Sequence, residues 1–229
     1  ESDPNASEYR LYMAHNRHFL AWAAMMQGRK REAITSARAI ETEVPAHLME
    51  KFGFASDGVA ACKWSVLVRF GMWDEILSEP SPPKWAVVGT SLRHFARGVA
   101  FANTSKDKEA REELVLFDEA VKNIPTEDWW LGNQPATEVM PLARLVLVGE
   151  IEFKARNHSK GLAALAEAVE LEERLVYAEP VPWMMPARHA YGALLIVDGQ
   201  YKEAEKAYLP DVFKKTDFTA SCQHHIDKG

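Results

Sequence analysis

The sequence predicts an all-α chain folded as an α-solenoid of about five helix–turn–helix units, over approximately residues 5–44, 46–79, 84–124, 136–179 and 183–214. Three observations carry that expectation. Prolines partition the chain, apolar residues recur at helical spacing between them, and small residues return twelve positions apart.

Proline lacks an N–H donor and clashes with the preceding helical turn, so its positions mark where long helices stop. The twelve prolines stand at 4, 45, 80, 82, 83, 125, 135, 141, 180, 182, 186 and 210, leaving proline-free windows of 5–44, 46–79, 84–124, 142–179 and 187–209. Within them Phe19, Leu20, Trp22, Ala23 and Met26, or Leu162, Leu165, Ala166, Val169 and Leu171, keep the rhythm of one helical face. Extended period-two alternation, the mark of strands, is absent. Each window is punctuated near its middle by Gly28-Arg29, Gly71-Met72, Thr104-Ser105-Lys106, Arg156-Asn157-His158 or Gly199-Gln200. Such residues suit the left-handed or tight turn that ends a helix.

The small pairs Ala21 and Ala33, Gly98 and Ala110, Gly149 and Gly161, and Gly192 and Ala204 let two helices approach closely where they cross. The last unit is the clearest, running from Arg188 through Gly192 and Leu195 to Gly199, Tyr201, Glu203, Ala204 and Tyr208. That run resembles a tetratricopeptide repeat, with Gly in the first helix, Gly at the turn, aromatic-x-Glu-Ala opening the second helix and an aromatic beyond it. The first unit resembles it through Leu20, Ala21, Gly28 and Glu32-Ala33, the third through Gly98, Phe101 and Glu109-Ala110, and the fourth through Gly149, Leu165 and Ala168, with Arg156 in place of the turn Gly. The second opens like a repeat at Phe70 to Leu77 before Pro80 truncates it. Turn-to-turn spacings of about 43, 34, 51 and 43 residues differ from the family's 34, so several helices are expected to be longer or to carry linkers. The whole chain also resembles a group of bacterial tetratricopeptide proteins through Tyr12, His15, Asn16, His18 and Phe19, and through Arg69 to Leu77. That second resemblance brings no biochemical activity with it.

The tetratricopeptide resemblance implies a right-handed superhelix, because one amphipathic hairpin cannot bury both faces and neighbours must stack. It also implies that the first helix of each unit lines a concave groove for a protein or peptide ligand. His15, His18, Trp22, Met25 and Met26 would then face inward from unit one, Glu150 with Phe153 and Lys154 from unit four, and His189 from unit five. The expected groove contacts are His15, His18, Trp22, Met26, Glu150 and His189. Trp22 and the methionines also suit a core between helices, where stripes of this kind more often lie. Glu150 sits in the apolar run Leu147 to Ile151, where an ionised carboxylate needs a partner such as Arg97 or Arg144.

Chemistry has fewer footholds. There is no nucleophile elbow, phosphate loop, dinucleotide fingerprint, zinc-protease helix or acidic calcium loop, so a noncatalytic role without cofactor is expected. The alternative is a metal-binding protein or metal-dependent enzyme. His15 and His18 have a spacing that can share one metal ion, but a site needs further ligands, and only Glu150 or His189 brought across the groove would supply them. Cys222, His224 and His225 form a sparse cluster in 215–229, read as a terminal tail or the start of a further repeat. Trp129-Trp130 is expected to plug a seam between units. Pro80–Pro83 and Pro180–Pro186 read as rigid connectors that carry Trp85 and Trp183 onto neighbouring helices.

A net charge of -6 argues against nucleic acid and anionic membranes as partners. With 47% hydrophobic residues and no apolar run of spanning length, a folded, soluble chain without membrane insertion is expected. The two cysteines signal neither disulfide framework nor zinc site. The sequence opens on Glu1 without a signal pattern, which leaves cytoplasmic and exported locations both open, as it does a homo-oligomer.

Overall fold

A computed structural model describes the backbone of residues 4–126 and 128–213 and the side-chain surroundings of residues 9–126 and 128–209. The helices in chain order are α1 (Pro4–Met26), α2 (Lys30–Glu43), α3 (Ala46–Lys51), α4 (Gly53–Ala60), α5 (Cys62–Arg69), α6 (Trp73–Ser78), α7 (Val87–Asn103), α8 (Asp107–Val121), α9 (Ala136–Lys154), α10 (His158–Glu172), α11 (Ala187–Val197) and α12 (Tyr201–Phe213). The described chain is all-α apart from one short antiparallel pair, β1 (Trp130–Leu131) with β2 (Gln134–Pro135). The predicted tail 215–229, with Cys222, His224 and His225, lies outside the described residues.

One turn recurs five times among the described residues. Gly28, Gly71, Ser105, Arg156 and Gly199 all take φ between 60° and 78°. In each turn the following residue's N–H reaches back to a carbonyl five positions earlier: Arg29 to Ala24, Met72 to Leu67, Lys106 to Phe101, Asn157 to Glu152 and Gln200 to Leu195, at 2.8 to 3.0 Å. This is the Schellman closure, which satisfies carbonyls that a helix end would otherwise leave bare. The same residue's carbonyl then accepts from the N–H four positions on, at Ala33, Ile76, Ala110, Gly161 and Ala204. Each turn therefore ends one helix and starts the next with three residues between them, which forces the pair into a tight antiparallel hairpin. Close crossing explains two glycines directly. A Cβ on Gly149 would lie 2.5 Å from Leu165, and one on Gly192 would lie 2.4 Å from the ring of Tyr208.

The hairpins α1–α2, α7–α8, α9–α10 and α11–α12 pack along their lengths. The first helices also touch in succession, α1 to α5, α5 to α7, α7 to α9 and α9 to α11. Two apolar cores result. One gathers Met25, Ala33, Ile40, Val66 and Met184 around α1, α2 and α5, and the other runs from Trp64 through Phe95, Phe117 and Leu147 to Leu195.

Three details depart from the expected pattern. Window 46–79 holds four short helices rather than one hairpin. The backbone leaves the helix at Phe52 (φ -107°, ψ 27°), and the bare flanks of Gly53 and Gly58 admit Trp129 and Leu131, which a Cβ would meet at 3.2 and 2.6 Å. Pro141 does not bound a helix, since α9 runs from Ala136 through it at the cost of one backbone bond. Pro210 likewise falls within α12.

The irregular window is organised by Asp57, whose side chain is fully buried. Val88 N–H donates to its Oδ2 at 2.7 Å and Gly89 N–H to its Oδ1 at 2.9 Å, while the Trp129 indole donates to Oδ2 at 2.9 Å. Val88 and Gly89 are the second and third residues of α7, so Asp57 serves as a helix cap delivered from a different helix. Burial pushes its carboxyl up to about 6, against the pull of the Trp129, Gly89 and Val88 donors. Asp57→Ala is expected to lower the unfolding free energy by about 3 kcal/mol or more, because three buried donors lose their acceptor. Between the unfolded value of 3.8 and about 6, the native carboxyl holds a proton that the unfolded chain has released. Its contribution therefore declines as pH rises through that window. Urea titrations of the parent and Asp57→Asn at several pH values should isolate that slope as the difference between the two proteins, the parent losing stability relative to the variant as pH rises through the window.

Candidate functional site

Four successive first helices send polar side chains to one place. Arg69 ends α5, Asn103 ends α7, Glu150 and Lys154 close α9, and His189 lies in the first turn of α11. Together with Trp73 they rim a cavity of about 250 Å³ whose apolar floor includes Val68, Phe95, Val99, Val146 and Leu194. Arg69 Nη1 lies 3.3 Å from His189 Nδ1, and Arg can only donate, so this contact puts the ring proton on Nε2. Tyr208 OH donates to the His189 carbonyl at 3.2 Å and holds the start of α11 from the next helix.

Glu150 is the group that the sequence singles out, and its surroundings differ from the expected ion pair. Arg97 binds Glu113 at 2.6 Å and Arg144 binds Asp118 at 2.8 and 3.0 Å, so neither reaches Glu150. Asn103 Nδ2 donates to Glu150 Oε2 at 3.3 Å and also to the Val99 carbonyl at 3.0 Å. Burial pushes the Glu150 carboxyl upward, opposed by the neighbouring Lys154 charge and the Asn103 bond. The rim thus combines the exposed cations Arg69 and Lys154, an imidazole and a carboxyl beside an apolar floor. Such a site can seat an apolar side chain and hold a carboxylate next to it.

The structure divides the six expected groove residues. Glu150 and His189 share the cavity just described, whereas His15 and His18 line a separate one. Trp22 and Met26 pack against the first core, and the Trp22 indole N–H is buried without a partner among the described residues. Both are half-buried. The separation follows from the chain between α10 and α11. Its Trp183 packs edge-on against Phe95 with ring centroids 5.3 Å apart, and its Met184 enters the first core with Sδ 3.1 Å from His18 Nε2. Trp183 and Met184 are 3% and 4% exposed, so this connector fills space between the histidines of α1 and the cavity near α11.

Among the described residues no three His, Cys, Asp or Glu side chains gather closely enough to hold a metal ion. Neither Glu150 nor His189 lines the cavity of His15 and His18. No described helix is long and apolar enough to cross a membrane. Of the tryptophan pair, Trp129 is anchored on Asp57, while Trp130 stays 38% exposed.

Sequence reasoning did not single out Arg69, Trp73 or Asn103 as site residues. Their signal was position, since Arg69 and Asn103 each fall within three residues of a turn, at the same end of a first helix as Lys154. Compared with protein-family models, with curated proteins and with solved structures, the chain matches none.

Burial pushes the His18 imidazole down to about 4, with a further push from His15. Between 6.5 and about 4 the unfolded chain takes up a proton that the native ring resists, so this contribution is complete above pH 6.5 and drains as pH falls. The loss, read as the difference between the parent and His18→Gln in urea unfolding, is expected to be on the order of 2–3 kcal/mol by about pH 4. Trp183→Ala should cost about 3–5 kcal/mol at neutral pH, as for other buried aromatic truncations.

Proposed function

We propose that this chain is a noncatalytic interaction module, a tetratricopeptide-like α-solenoid of about five units that binds a protein or peptide segment in the cavity rimmed by Arg69, Trp73, Asn103, Glu150, Lys154 and His189. The observation that carries this reading is the convergence of those residues from α5, α6, α7, α9 and α11 on one cavity. The solenoid reading is supported by the five identical turns and by the succession of first helices in contact. Rim cations attract a carboxylate, and the floor of Val99, Phe95 and Leu194 takes the apolar side chain beside it. A short segment ending in an apolar residue with a free carboxylate meets both requirements.

The test is a library of short peptides with free C-termini, panned on the whole chain and read by fluorescence polarisation. Selected peptides should carry an apolar residue next to a carboxylate and bind more weakly when amidated. Arg69 and Lys154 are exposed, so the Arg69→Ala, Lys154→Ala double variant should stay folded by circular dichroism. It should lose about tenfold in affinity or more, which is about 1.4 kcal/mol. Selected peptides that bind the double variant as well as the parent, or a panning that enriches none, would refute the reading.

A further inference from the structure

The cavity that holds His15 and His18 has its own chemistry. It encloses about 250 Å³ between α1, α4 and α5 on one side and the hairpin β1–β2 with residues 178–184 on the other. Its charge pattern is unusual for a chain with 27 Lys and Arg residues, since among the described residues no Lys or Arg lines it. Glu179 is the one carboxylate among its described walls. Two further titratable groups there, His18 and Cys62, do not offset that charge. His18 is kept neutral at pH 7 by its burial, and burial also pushes the Cys62 thiol up so that it stays protonated. Tyr177 OH donates to Glu179.

The remaining walls are suited to a cation with an apolar body. Trp130 and Trp183 contribute aromatic surface, Trp130 being 38% exposed, and electron-rich ring faces attract positive charge. Ser65 is 5% exposed, lines the cavity and makes no hydrogen bond among the described residues, so its hydroxyl oxygen can accept from an ammonium N–H. An anionic ligand would meet Glu179 without a compensating Lys or Arg. Small-molecule sites commonly join a mostly apolar wall to a few placed polar groups, and this cavity has that composition.

We propose that this cavity binds a small organic cation, an amine on a compact aromatic body, with Glu179 as counter-ion and Trp130 and Ser65 as contacts. The site is separate from the cavity near α11 and does not depend on the peptide-binding reading. Isothermal titration of the whole chain with phenethylamine, 2-phenylethanol and 3-phenylpropionate supplies a cationic, a neutral and an anionic probe of nearly equal size. The amine should bind saturably and at least about tenfold more tightly than the other two, as one ion pair in a partly desolvated site allows. Glu179→Gln and Trp130→Ala, both at exposed positions, should keep the parent's thermal midpoint while each weakens the amine severalfold, and Glu179→Gln should erase the preference for charge. The Arg69→Ala, Lys154→Ala double variant should bind the amine like the parent, so failure of peptide binding and failure of amine binding are told apart. Absence of saturable amine binding, equal affinity for the three probes, or an unchanged preference in Glu179→Gln would overturn the proposal.

Discussion

A single buried carboxylate ties the irregular part of this molecule to the regular part. Asp57 has no exposed surface, yet it accepts from two backbone amides of α7 and from the indole of Trp129. Helix α7 has Ala86 where a capping side chain would stand, so without Asp57 its first amides would face an apolar interior unpaired. The same carboxylate fixes α4 and the chain before β1 against that helix end. Because α7 packs on both α5 and α9, its placement propagates to the helices that carry the candidate site.

Charge networks then hold the hairpins in register. Glu113 of α8 receives His94 at 2.7 Å and Arg97 at 2.6 Å, both from α7. Glu152 of α9 receives Arg111 from α8 and Lys160 from α10, each at 2.9 Å, and these bonds hold its carboxyl down to about 2. Broken on one side, the largely buried Glu113 pairs are costly, whereas the intact network fixes one arrangement of neighbouring helices. Between the last two hairpins, the His158 ring stacks on Phe153 with centroids 4.3 Å apart and pairs with Asp198. The rim of Asn103, Glu150, Lys154 and His189 is thereby borne on helices that have little freedom to shift, which lowers the ordering cost of binding.

Much of the helical architecture was legible because turns are written locally. Gly28, Gly71 and Gly199 advertise positive φ, and even Ser105 and Arg156, which lack that advantage, follow from the spacing of apolar runs around them. Window 46–79 was not legible in the same way. What organises it is a contact between Asp57 and residues about thirty positions later, and nothing within the window encodes that partner. An acidic residue inside the largely apolar Gly53–Ala60 run was the available signal. The site was half legible. Periodicity placed Trp22 and Met26 on the same face as His18, but it cannot tell a groove from a core, and it says nothing of Met184 and Trp183, which a distant connector packs beside that face. Glu150 and His189 were legible as an apolar-embedded acid and a first-helix imidazole, whereas Arg69 and Asn103 join them only through packing.

The most direct measurement of the central claim is hydrogen exchange on the whole chain with and without a peptide that binds it. If the cavity between α5, α7, α9 and α11 is the recognition site, bound peptide should slow exchange around Arg69, Asn103, Lys154 and His189, and leave the opposite helices α2, α8 and α10 unchanged. Slowing confined to α2, α8 and α10, or none near those four residues, would contradict it.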